Sequence, residues 1–141
     1  MATADVPLRC PHCGGALTRV ERTWRCDDGH HFDVAKQGYV NLLVGHRHPT
    51  GDTATMIGAR ERVLAAGHLD VVTAALVEAC RDLPDGLLVE VGAGTAHHLV
   101  AVRRALGERS AVAIDVSVPA ARRAGRADPD HTVAVVADVW Q

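Results

Sequence analysis

Three of the chain's four cysteines, Cys10, Cys13 and Cys26, fall close together near its start, and His30 follows them. Read as ligands, they give the spacing C-x2-C-x12-C-x3-H. "CPHCGG" sets two thiolates around a tight turn in which Gly14 and Gly15 accept φ > 0. "CDDGH" repeats the device, with Gly29 just ahead of His30. Two such turns facing one another complete a tetrahedron, and three thiolates with one imidazole suit Zn(II). All four ligands are protein groups, which leaves no position for water, so the expected metal is structural. His12, inside the first turn, and His31, beside His30, are rival ligands. The expectation is that His12 points away and that His30 closes the set.

A second constellation lies in "LLVEVGAGTAHHLVAVRRAL". Leu87 to Val91 reads as a strand buried on both faces, broken only by Glu90. Gly92, Ala93 and Gly94 make a sharp turn that lets a ligand approach the backbone, and a helix carrying Leu99, Val102 and Leu106 follows. A G-x-G after a strand is weak evidence alone, and Ala96 stands where a third glycine would strengthen it. Two further apolar runs follow, "SAVAIDVS" reaching Asp115 and "HTVAVVADVW" reaching Asp138. Asp115 falls about twenty residues past the glycines, where a carboxylate can accept hydrogen bonds from both ribose hydroxyls. Strands ending in Glu90, Asp115 and Asp138 would align these groups along one edge of a parallel sheet.

The elements that must hold these groups are small and poor in aromatics. The chain has 141 residues, 48% hydrophobic and 3% aromatic, so after residue 50 the core must come from Ala, Val and Leu. A formal charge of −2 leaves no global basic footprint for nucleic acid. "MATADVPLR" lacks a signal-peptide apolar region and no run reaches membrane-spanning length, which makes cytoplasmic the default expectation. Around the cysteines, "ALTRVERTWR" alternates as a short hairpin. A unit of about fifty residues with so few apolar side chains needs a metal staple.

Between the two constellations, "VGHRHPTGD" reads as a loop. His46 and His48 within it are better taken as solvated than as a second metal site. A helix from Asp52 or Thr53, with Met56, Arg60, Val63 and Leu64 at helical spacing, ends at Gly67. A second, from about His68 to Arg81, places Leu69, Val72, Leu76 and Ala79 on one face, with Cys80 as a buried thiol. The expected division is 1–50 for a zinc module, 51–84 for a helical connector and 85–141 for the glycine-turn sheet. Arg103, Arg104, Arg122, Arg123 and Arg126 read first as solvated helix faces.

Taken in order, "CPHC", "RCDDGHHFDVAKQGYVNLL", "GDTATMIGARERVLAAGHL", "EVGAGTAHHL", "IDVS" and "VADVW" resemble the bacterial large-subunit rRNA guanine-N1 methyltransferases, including the subgroup conferring resistance to macrolides such as tylosin. The resemblance covers essentially the whole chain. It implies an α/β fold: a zinc-ribbon-like module followed by a partial, C-terminally truncated Rossmann-like class I methyltransferase domain. It matches Cys10, Cys13, Cys26 and His30 to zinc ligands. Gly92 and Gly94 match the turn beneath the methionine portion of S-adenosylmethionine, Asp115 the ribose carboxylate and Asp138 the residue beside adenine. His97 and His98 match a pair that is histidine or tyrosine in relatives, and Glu90 stands where Asp is usual. Ala96 replaces a glycine and would crowd the cofactor backbone by one methyl. Val118 replaces a lysine and Leu69 a tyrosine.

The implied activity is methyl transfer from S-adenosylmethionine to a guanine N1. That atom lies on the Watson–Crick edge, so the base must be unpaired or flipped out. The implied partners are a hairpin loop of large-subunit rRNA, gripped partly by the zinc module, and a second copy of the chain. No residue is assigned as the base that accepts the N1 proton. Because relatives run about as long again, the chain is expected to be a fragment with an open edge on the Leu87–Val91 strand, inactive by itself. The competing expectations are a small-molecule methyltransferase and a non-catalytic zinc-bearing RNA or protein adaptor.

Overall fold

The computed structural model describes residues 5–45 and 49–140; His46 and His48 lie outside the described residues. Two sheets organise the chain. The first is antiparallel, ordered β1 (Thr18–Val20), β2 (Thr23–Arg25) and β3 (His31–Asp33). The expected hairpin is β1–β2, turned by Glu21 at φ 55, with β3 added to it. The second sheet is wholly parallel, in the order β4 (Tyr39–Asn41), β7 (Thr132–Val136), β6 (Ala111–Asp115) and β5 (Leu88–Val91).

Helix α3 (His97–Ala105) links β5 to β6, and α4 (Val118–Ala127) links β6 to β7. Alternation along the strands sorts the two faces of the sheet. Ala111, Ala113 and Ala134 pack with Leu99, Val100 and Ala124 of the helices, where small side chains let the layers approach closely. On the opposite face Val112, Val133 and Val135 join Leu17, Trp24, Val34 and Val40 in one cluster that also takes in Cys10 and Cys26. The ribbon is therefore a third layer laid on the back of β6 and β7. Segment 1–50 supplies both that layer and β4, which is part of the parallel sheet itself.

One junction is backbone against backbone. A Cβ on Gly125 of α4 would fall 2.6 Å from the Gln37 carbonyl oxygen and 2.8 Å from the Gly38 carbonyl carbon. Gly38 itself sits at φ +90. The ribbon's exit turn and α4 are thus held in contact by two glycines.

Two amphipathic readings are corrected. Helix α1 (Ala54–Ala65) is capped by Thr53, whose hydroxyl accepts from the Met56 N–H at 3.3 Å. Its buried residues are Ile57 and Leu64, while Met56 and Val63 are exposed. Helix α2 (Asp70–Cys80) buries no residue; Leu69, Val72 and Leu76 are exposed and Cys80 is only partly covered. Strand β5 is also not buried on both faces. It is an edge strand whose Leu88 and Glu90 face the helices, while Val89 and Val91 lie open on the other side at 52% and 60% exposure. The ribbon covers β6 and β7 but stops short of β5. Periodicity finds apolar stripes, but it carries no information on what covers them.

Candidate metal centre and cofactor site

The two cysteine turns meet as the spacing requires. Donor atoms of Cys10, Cys13, Cys26 and His30 all lie within 4.8 Å of one another. His30 Nδ1 is 3.4 Å from the Cys26 sulfur and 3.6 Å from that of Cys10, and the Cys13 and Cys26 sulfurs are 3.6 Å apart. Zn–S and Zn–N bonds of about 2.3 and 2.0 Å at tetrahedral angles give S···S edges of about 3.8 Å and S···N edges of about 3.6 Å. The cluster therefore has the dimensions of a zinc tetrahedron, and it is His30 Nδ1 that faces the sulfurs.

Neither rival histidine joins the cluster. His12 lays its ring against His30, with centroids 4.9 Å apart, and against Phe32 at 5.9 Å. His31 is an exposed residue of β3, paired with Arg25. Local backbone bonds shape both turns: Gly14 N–H donates to Cys10 O, and Gly29 N–H donates to Cys26 O. The metal geometry is thus built from two short turns carried by a hairpin whose buried Trp24 anchors it to the sheet.

At the C-terminal ends of the parallel strands, Gly92 and Gly94 adopt φ 69 and 56. No atom lies within 4 Å of where a Gly92 Cβ would be, so the turn presents open backbone to a ligand. Asp115, at the end of β6, spans this corner. Its Oδ2 accepts from the Gly94 N–H and its Oδ1 from the Ser117 N–H, both at 2.8 Å. The carboxylate fixes the glycine turn, and further lone pairs remain on its oxygens for other donors. Asp138, past β7, accepts from the Trp140 N–H at 3.0 Å.

A strap over this corner escaped the sequence reading. Ser117 caps α4 and donates through Oγ to the Asp52 carbonyl at 2.6 Å, while Gly51 lies so close to Ser117 that a Cβ would meet it at 2.8 Å. Asp52 in turn pairs with Arg60, whose Cδ would lie 3.7 Å from a Cβ on Gly94. The signal available beforehand was "GDTATMIGAR" itself, a capped helix start with a glycine in front.

The other expected cofactor residues diverge. Glu90 is the penultimate residue of β5, in register with Ala113 and so two residues short of Asp115, and lines an apolar recess with Leu76, Cys80 and His98. Its buried Oε2 has no hydrogen-bond partner. Burial pushes the Glu90 carboxyl up from its ordinary range, against a smaller lowering by the Leu99 N–H. His98 turns to α2, with Nδ1 2.9 Å from the Thr73 hydroxyl. Its imidazole is held below its usual value by burial first and by His97 second. His97 lines a different groove, between α1, α3 and α4. Glycine turn and Asp115 come together; Glu90 and His98 sit beneath them under α2.

An open parallel sheet with a glycine turn and a carboxylate at adjacent strand ends is the architecture that binds nucleotide-like cofactors. Here it carries a cysteine–histidine cluster of zinc dimensions on its back. Residues 8–48 match the family model described as RlmA, N-terminal, a zinc ribbon. Over 94% of its length the chain is 48% identical to a putative 23S rRNA (guanine-N(1)-)-methyltransferase of Micromonospora griseorubida. Over the same share it is 45% identical to the 23S rRNA (guanine(748)-N(1))-methyltransferase of Streptomyces fradiae. The chain spans 52% and 49% of those two proteins, about half their length. The chain is thus similar along nearly its whole length to part of two proteins named as 23S rRNA guanine-N1 methyltransferases, and a zinc-ribbon model matches its residues 8–48. Among the described residues, no single helix is long and apolar enough to cross a membrane.

Proposed function

We propose that this chain is the zinc-ribbon and cofactor-binding part of an S-adenosylmethionine-dependent enzyme that methylates N1 of a guanine in large-subunit rRNA. The observation that carries the reading is the union of the metal cluster, the open glycine turn and Asp115 in one body, in a chain homologous to such enzymes along 94% of its length. In this reading Cys10, Cys13, Cys26 and His30 hold zinc structurally. The Gly92–Gly94 backbone receives the cofactor, Asp115 orients its ribose and Asp138 flanks the adenine.

S-adenosylmethionine, when bound, supplies an electrophilic methyl group. The chain's own part is positional. Asp115 holds the turn open by taking the Gly94 N–H, and the Asp52–Arg60 strap flanks one side of the corner. Neither His98, bonded to Thr73, nor His97, in the outer groove, faces the turn as a base for the N1 proton. The enzyme would work in the cytoplasm, on an unpaired guanine of an rRNA hairpin loop.

Calorimetric titration of the zinc-loaded chain with S-adenosylmethionine tests the cofactor half of the reading. Saturable binding that Asp115→Ala abolishes is the expected result. No heat with S-adenosylmethionine or its demethylated product would sink it. Transfer of a labelled methyl group to 23S rRNA by a protein extended past residue 141, but not by this chain, is the expected outcome for activity.

A further inference from the structure

Although the chain is acidic overall, its cations are not spread evenly. Two grooves, of about 460 and 370 Å³, share Arg126 as a common wall. The first runs between α1, α3 and α4, from Thr95 and His97 beside the glycine turn down to Arg104, Arg123 and Arg126. The second continues past the end of α4 to Arg19, Arg22 and Lys36 of the ribbon. Together the walls hold six of the fifteen Lys and Arg residues but only Glu61 and Asp130 of the seventeen acidic ones.

These charges are mostly free. Among the described residues, only Arg123 of the six has a carboxylate partner, Glu61 at 3.4 Å. The neighbouring arginine on α3, Arg103, shows the contrast: it is buried and paired with Asp128, so its charge is spent inside the fold. Arg19 is pushed below its ordinary value by burial and then by the facing charge of Arg22. Like charges held together without counter-ions mark a surface awaiting an anion. The strip is also stiff. Arg22 donates to the Val34 and Ala35 carbonyls at 2.9 and 2.8 Å, bracing the Lys36–Gly38 turn, and Gly125 locks that turn onto α4.

We propose that this strip, from Arg104 across Arg126 to Lys36, is a track for the phosphodiester backbone of RNA, running from the ribbon past the end of α4 into the groove between α1, α3 and α4. It rests on the rRNA reading above for the identity of the polyanion. Phosphates in a row fit a linear series of guanidinium groups and one ammonium, each pairing with successive oxygens. The track explains how a chain of net negative charge grips RNA: it concentrates its cations on one face and leaves its acids elsewhere.

The test is fluorescence anisotropy of the zinc-loaded 141-residue chain with a labelled RNA hairpin, across a salt series. Six phosphate contacts imply a slope of log K against log salt of roughly −4 to −5. Arg126→Ala should reduce that slope by about 1 and weaken binding several-fold at moderate salt. Arg126→Glu combined with Lys36→Glu should weaken it by at least about a hundredfold, whereas Arg81→Ala on α2 should leave it unchanged. Retained zinc and an unaltered circular dichroism spectrum would show that the variants fold. Equal RNA affinity and slope in parent and Arg126→Glu/Lys36→Glu would overturn the track, as would a parent that binds poly-glutamate as well as RNA or no RNA at all. A chain that binds RNA through these residues yet ignores S-adenosylmethionine keeps the track and loses the catalytic reading. One that binds the cofactor with an unaffected double variant does the reverse.

Discussion

The ribbon and the parallel sheet reach their folds by opposite means. In the ribbon, three strands of three residues each have a single well-buried large side chain between them, Trp24, and four Cys and His donor atoms converge between the two turns. In the sheet, β6 and β7 are nearly continuous buried runs of Ala and Val, and no special group is needed to hold them. One region is specified by a handful of residues, the other by pattern. They meet where Trp24 and Leu17 share a cluster with Val112, Val133 and Val135, so the metal-held layer also shields half of the sheet's apolar face. A metal held by the ribbon would therefore bear on the sheet that carries the glycine turn.

Removing the metal breaks the comparison most forcefully. Structural zinc in small modules is worth about 10–16 kcal/mol of apparent binding energy, well above what a ribbon with this core supplies alone. Chelation, or Cys26→Ser, should unfold the ribbon, expose Trp24 and lower the melting temperature of the sheet along with it. Tryptophan fluorescence and far-ultraviolet circular dichroism would follow both. A sheet transition that stays put while Trp24 becomes solvated would show that the layers are energetically independent.

The junction comes next. Gly125→Ala puts a methyl group against the Gln37 and Gly38 backbone, which cannot swing away as a side chain can. A cost of about 3 kcal/mol is expected. The urea midpoint should fall, and the RNA-binding salt slope should fall too if the two halves of the basic strip are pulled apart. Asp115→Ala is of similar size once water compensates: it leaves two N–H groups without a charged acceptor, at about 1.5–3 kcal/mol each before that compensation. It should also abolish cofactor binding, which Gly125→Ala should not do directly.

Much of this was legible beforehand, and for identifiable reasons. The convergence of Cys10, Cys13, Cys26 and His30 was readable because metal geometry is encoded in residue type and spacing alone. Gly92, Gly94 and Asp115 were readable because a tight turn and a strand end each leave a local signature. What stayed hidden is long-range. Nothing near Tyr39–Asn41 says that it pairs with a strand some ninety residues later. The exposure of α2 and of one face of β5 was equally invisible, since an apolar stripe looks the same whether or not something covers it. The basic strip was missed for that reason as well: Arg19, Lys36 and Arg126 are far apart in sequence and adjacent only once α4 sits on the ribbon's exit turn.

Titration separates the recess beneath the turn from the turn itself, with smaller effects. His98 is held below its usual value, so the unfolded chain takes up a proton first. Its contribution is complete above the unfolded value of 6.5 and fades as pH falls through the window beneath it. Glu90 is raised, so the folded chain keeps its proton longer. That contribution is complete below the unfolded value of 4.5 and is lost as pH rises through the folded one. His98→Gln should therefore flatten the loss of stability between pH 7 and pH 5.5. Glu90→Gln should raise the urea midpoint at pH 7, because the amide carries no charge for burial to disfavour. A lower midpoint at pH 7 would mean the buried carboxylate has a partner after all.

The smallest effect sharpens the comparison at a single methyl group. Ala96 caps α3 in a left-handed conformation, φ 61 and ψ 23, which costs an L-residue about 1–2 kcal/mol. Its side chain is wholly buried in the cluster with Leu99, Val100 and Ala111. Ala96→Gly relieves the backbone but gives up about 0.8 kcal/mol of methyl burial and adds freedom to the unfolded chain. The terms oppose one another, so stability should change by less than about 1 kcal/mol and the S-adenosylmethionine affinity not at all. A several-fold gain in affinity would place that methyl in the cofactor's path and shift the glycine turn from a preformed cradle to one that must yield on binding.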